Sequence, residues 1–118
     1  MILHACPRDA WDDAVARGRY PGDTLATEGF VHCSDLGTIH LPLTYLFRGR
    51  TDLVLLQIDP ALVGAPVRWE PGDPADPTAP WFPHVYGPIP TAAVQAVHPL
   101  TPEPDGSFLP PAPLRCIP

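Results

Sequence analysis

Positive charge is scarce in this sequence. Lysine and arginine together number 7 against 13 aspartates and glutamates, which gives a formal net charge of −6. Binding to a phosphate backbone takes a cationic face, so this balance works against a nucleic-acid partner and leaves a small molecule as the expected one. Long apolar runs are also missing. None approaches the roughly 18–20 residues that span a bilayer, and the N-terminus lacks the basic flank and long apolar core of a secretory signal. A cytoplasmic protein without membrane contact is the default expectation. The three cysteines are an odd number without paired ligand spacing, which excludes a disulfide framework and a zinc ribbon and predicts free thiols in a reducing compartment.

Proline, by contrast, is abundant. The 19 prolines are concentrated after Pro60, where they imply extended loops and limit helix. A length of 118 residues and 45% hydrophobic content suit one domain around one core. No internal repeat is visible.

Polar chemistry is densest in Thr27-Glu28-Gly29-Phe30-Val31-His32-Cys33-Ser34, a short segment that also reads as the end of a strand. On either side the patterning predicts ordinary elements. Met1–Cys6 is expected as a strand ended by Pro7, and Asp9–Arg17 as a helix with Ala10, Trp11, Ala14 and Val15 on one face and Gly18 as its stop. Arg19–Thr27 reads as a loop. A second helix capped by Ser34 or Asp35 is expected to run to Phe47, kinked or split by Pro42. Leu53–Ile58 reads as a central strand covered on both faces, and Val67–Glu70 as a strand stopped by Pro71. Trp81–Pro88 is a second polar cluster with a histidine, and Gln95–His98 a last strand. Beyond Pro99 the composition predicts an extended or mobile surface tail.

Strand ends or proline-fixed loops present His4, His32, Glu70 and His84, with Glu28 and Tyr86 close by in sequence. These four are expected to converge on one cleft. Three histidines with an open position suit catalytic zinc, yet their wide separation matches no ligand motif. A Cys33 nucleophile needs a base, and neighbours along a regular strand point to opposite faces, which removes His32 from that role. A carboxylate such as Glu70 at a strand end is able to stabilise an oxocarbenium ion. Each of these residues also has a plain structural reading: His32 as a satisfied core histidine, Cys33 as a small buried hydrophobe, Glu70 as a solvated glutamate.

The motifs Ile2-Leu3-His4, Leu25 to Ser34, Asp52 to Asp59, Val67 to Pro71 and Phe82 to Pro88, in that order and spacing, resemble the small bacterial family known as domain of unknown function 952. The resemblance covers roughly residues 1–100 and leaves a proline-rich tail, residues 101–118, outside it. That family is in turn remotely similar to the ADP-ribosyltransferase superfamily. The resemblance implies an α+β fold, a split β-sandwich with two or three short helices whose cleft holds NAD. His4 matches the superfamily's first-strand histidine and Glu70 its later glutamate, while His32 and His84 match motifs of the family itself. It implies an enzyme that cleaves or transfers at the nicotinamide N-glycosidic bond, with His4, His32, Glu70 and His84 catalytic. His4, Glu28, Ser34 and Tyr86 would hold NAD, without a metal. The alternatives are a small-molecule lyase, cyclase or isomerase using His/Glu acid–base chemistry in the same cleft, or a binding module without catalysis.

Overall fold

The computed structural model describes residues 1–115, and Cys116 lies outside them. Strand β1 (Ile2–Pro7) leads directly into helix α1 (Arg8–Arg17), which Gly18 ends in the left-handed conformation, φ 79°, donating its N–H to Ala14 O at 2.8 Å. A short strand β2 (Arg19–Tyr20), one helical turn α2 (Leu25–Glu28) and strand β3 (Val31–His32) follow. Helix α3 (His40–Phe47) precedes β4 (Leu53–Ile58), β5 (Val67–Pro71), β6 (Trp81–Val85), β7 (Ile89–Pro90) and β8 (Val94–Pro99). Two 3-10 turns, Pro60–Leu62 and Thr91–Ala93, link strands, and α4 (Ala112–Arg115) closes the described chain.

The strands form three antiparallel groups, β1-β4-β8, β3-β6-β5 and the pair β2-β7. One isolated bridge joins the two larger sheets: Leu3 and Ser34 exchange both backbone hydrogen bonds at 2.7 Å. That bridge sets β1 beside the residues following β3. In the smaller sheet the alternation of strand side chains divides the faces. Val31, Val85 and Val67 stand in one cross-strand row and pack into the core, so His32, His84 and Arg68, the adjacent row, face the other way.

Strand β4 is central and nearly wholly buried, which is what its continuous apolar run requires. Its two faces serve different cores. Val54, Leu56 and Ile58 pack with Ile2, Val31, Val85 and Ile89, whereas Leu53 and Leu55 pack with Leu3, Ile39 and Leu43. The second core is completed by Leu100, Phe108 and Leu114, so the described part of the proline-rich segment after β8 runs along the fold, the first of the two conformations expected for it, and is anchored there by buried side chains. Three buried apolar side chains spread over fifteen residues outweigh the absence of regular structure there.

Other expectations are corrected locally. The second helix begins only at His40, which places Pro42 in its first turn, where a missing N–H costs nothing, so the proline does not split the helix. Asp35 does act at the preceding turn, accepting from Thr38 N at 2.9 Å. Val15, placed on the apolar face of α1, is 56% exposed, and the Arg19–Thr27 loop contains β2 and most of α2.

Candidate active site

A cavity of about 690 Å³ opens between β1, the segment from Tyr20 to Thr24, β3, α3 and the β5–β6 hairpin. That size falls within the range of small-molecule sites. His4, His32, Ser34 and His84 line it, and so do the thiol-bearing residues Cys6 and Cys33. Glu70, Glu28 and Tyr86 do not line it themselves but bear on it through the histidines.

His84 and Glu70 form the best-built pair. His84 is 5% exposed, and its Nδ1 lies 2.9 Å from Glu70 Oε1. Tyr86 donates its hydroxyl hydrogen to the same oxygen. These two hydrogen bonds, Tyr86's the stronger influence, hold the Glu70 carboxyl below the usual glutamate range. An ionised carboxylate only accepts, so His84 Nδ1 carries the hydrogen, and it is Nε2 that holds the lone pair whenever the ring is uncharged. Among the described residues Nε2 has no hydrogen-bond partner, and no fully enclosed side-chain nitrogen or oxygen is left unpaired. Nε2 therefore keeps some accessible surface, on a residue that lines the cavity. The Phe30 ring stacks on the imidazole at 4.1 Å and 15°, fixing its plane.

His32 is built in the same way at the rim. It stands opposite His84 in the β3–β6 register, with ring centroids 5.2 Å apart and nearly perpendicular. Its Nε2 meets Glu28 Oε2 at 3.1 Å, and both side chains are half exposed.

His4 has no free ring nitrogen. Its Nδ1 donates to the His32 carbonyl at 2.5 Å, and because a carbonyl only accepts, Nδ1 bears the hydrogen. Nε2 then accepts from the Tyr20 hydroxyl at 2.8 Å. Burial of the ring depresses its pKa and favours this neutral tautomer. His4 thus braces β3 against β1 from within the cavity wall.

The thiols are poor nucleophiles. Burial pushes Cys6 up to about 11 and Cys33 up to about 12, so neither supplies thiolate near neutral pH. Both are free and buried. Among the described residues, no group of three or more His, Cys, Asp and Glu side chains is placed to hold a metal ion. None of the described helices is long and apolar enough to cross a membrane.

The structure thus gathers His4, His32, His84 and Ser34 at one cavity and joins Glu70, Tyr86 and Glu28 to it at one remove. Sequence reasoning missed Tyr20, which sat in an apparent loop, and the stacking role of Phe30, whose signal was its place two residues before His32 on the same face.

Residues 5–97 match the family model described as "Protein of unknown function (DUF952)". The fold is similar to that of protein CC0527 from Caulobacter crescentus, 29% identical. The crystal structure superposes with a TM-score of 0.79 over 92% of each chain. The solution structure of the same protein gives 0.75 over 90% of this chain and 89% of that one. No curated protein matches the sequence.

Proposed function

Because the chain belongs to the DUF952 family, described only as of unknown function, its activity has to be read from the site, and we propose an acid–base enzyme acting on a small molecule, a lyase or isomerase. The observation that carries this reading is the division of labour within His84, a residue that lines the cavity: Nδ1 anchored on an ionised glutamate, Nε2 unpaired among the described residues. A base held this way is in the correct tautomer before substrate arrives, and the imidazolium formed on taking a proton is stabilised by the carboxylate behind it. His32, carrying its own glutamate and standing half exposed at the rim beside His84, takes up a proton from solvent and as imidazolium gives it to the substrate from the same face of the sheet. His4 positions His32 through its carbonyl and takes no proton itself. Contributions of such groups are typically about 10²–10⁴-fold in rate.

Transfer or release of ADP-ribose from NAD is the second reading, and with it the remote similarity to ADP-ribosyltransferases. His4 on the first strand and the capacity of the cavity favour it. The donor set fits the cofactor poorly. Glu70 reaches the cavity only through His84, and the one guanidinium among the lining residues, Arg50, is bound at 2.5 Å by Asp52, leaving two phosphates unneutralised.

The test needs no prior substrate. A pool of small metabolites is incubated with the protein in D₂O and read by NMR for deuterium incorporation, with His84→Gln as control. Exchange that depends on His84 supports the reading. NAD consumption without deuterium exchange in other compounds, or no His84-dependent change at all, removes it.

A further inference from the structure

The interior of the cavity and its mouth differ in character. The most buried apolar side chains of the lining include Leu3, Ala5, Ile39 and Cys33, 0–8% exposed. The charged residues of the lining, Asp13, Asp23 and Arg50, are all exposed, and two of the three are carboxylates. Arg50 is bound by Asp52, so no unpaired cation waits for an anion.

Beside His4 and Tyr20, which are hydrogen-bonded to each other, two buried polar side chains break the apolar interior. Ser34 is 3% exposed and His84 5%, and both line the cavity. Ser34 Oγ has no hydrogen-bond partner among the described residues, and since no enclosed side-chain oxygen is unpaired, the hydroxyl keeps some accessible surface, as His84 Nε2 does, each on a residue that lines the cavity. A hydroxyl donates and accepts; neutral Nε2 accepts. An apolar chamber with one unpaired hydroxyl and one lone pair among the described residues complements a ligand with a single hydrogen-bonding head. Ligand carboxylates would be stripped of water without a cation to replace it, and would pass the exposed Asp23 on entry, Asp13 being paired with Arg17 at 3.1 Å.

We propose that the cavity takes an uncharged amphiphile: a hydroxyl or enolisable carbonyl group seated on Ser34 and His84, with an apolar body lying along α3 towards Leu46. This deepens the acid–base reading and rests on it, since the seated head is the group whose proton His84 takes. The exposed Leu46, 70% accessible although it lines the cavity, is then the outer wall that the ligand body covers.

Unreactive probes test this on the full chain by thermal shift and calorimetry: n-alcohols from butanol to decanol, with n-carboxylates and n-alkylammonium ions of equal length. Each added methylene of an alcohol is expected to tighten binding by about fourfold until the chamber is full. Matched ions are expected to bind at least about tenfold more weakly. Ser34→Ala should weaken the alcohols several-fold, and Leu46→Ser, at an exposed position that leaves folding intact, should flatten the length dependence. Binding without length dependence, ions equal to or tighter than alcohols, or no effect of Ser34→Ala overturns the proposal. The probes do not turn over, so their failure leaves the His84 chemistry standing. Length-dependent binding beside an unchanged exchange rate in His84→Gln sinks only the chemistry.

Discussion

His32 and His84 stand opposite each other on β3 and β6, their rings 5.2 Å apart at 72°, and each is held by its own glutamate. Glu70 lies on β5, two positions from the residue opposite His84, a diagonal cross-strand relation, whereas Glu28 ends the helical turn just before β3. Paired imidazoles of unlike burial, 6% against 48% side-chain exposure, are fitted for unlike roles.

The Glu70 carboxyl is depressed below its ordinary pKa, so its ionised form is favoured by folding. The sign follows: this stability is present above about pH 4.3, the unfolded value, and is lost as pH falls through the lower folded value. Melting temperatures recorded from pH 7 to pH 3 should drop more steeply at the acid end for the native chain than for Glu70→Gln. Parallel curves would mean that the carboxylate gains nothing from Tyr86 and His84.

His4 titrates in the opposite setting, a histidine kept neutral by burial. Its unfolded form binds a proton near pH 6.5 while the folded ring does not, so its contribution to stability is complete above that pH and declines below it. Nitrogen-15 NMR should find His4 neutral with the hydrogen on Nδ1 at pH 6. An imidazolium signal or an Nε2–H tautomer there contradicts the brace.

Tyr20 is 4% exposed and gives its hydroxyl hydrogen to His4. Tyr20→Phe leaves a buried acceptor unpaired and should cost about 1–3 kcal/mol by chemical denaturation. Tyr45→Phe, at a side chain 81% exposed, is the control and should stay within about 0.5 kcal/mol.

With their pKa values raised, Cys6 and Cys33 should resist iodoacetamide at pH 8 in the native protein and react once it is unfolded. Peptide mapping by mass spectrometry reads both positions. Rapid native alkylation of either would contradict the burial that makes them unfit as nucleophiles.

Much of this fold was legible from the sequence, and the reasons differ by element. Leu53–Ile58 carries enough consecutive apolar side chains that burial alone decides it, and Ile2–Pro7 is delimited by its apolar start and by Pro7. The two-residue strands β2 and β7 have no such signal, because their pairing is set by the neighbouring chain, and Tyr20 was invisible for that reason. The gathering of His4, His32 and His84 was expected from strand ends. What hid in the sequence was the diagonal from Glu70 to His84, since it depends on the register of a hairpin with a long turn. The packing of Phe108 and Leu114 was masked by the prolines around them.

The most direct test of the account is a double-mutant cycle in kcat/KM, using Glu70→Gln, His84→Gln and the double variant on a compound that exchanges with D₂O. If the glutamate acts only by orienting and stabilising the histidine, His84→Gln should lose about 10²–10⁴-fold, Glu70→Gln somewhat less, and the double variant no more than His84→Gln alone. Losses that multiply in the double variant, or a His84→Gln protein as active as the native chain, would contradict the pair as the catalytic unit.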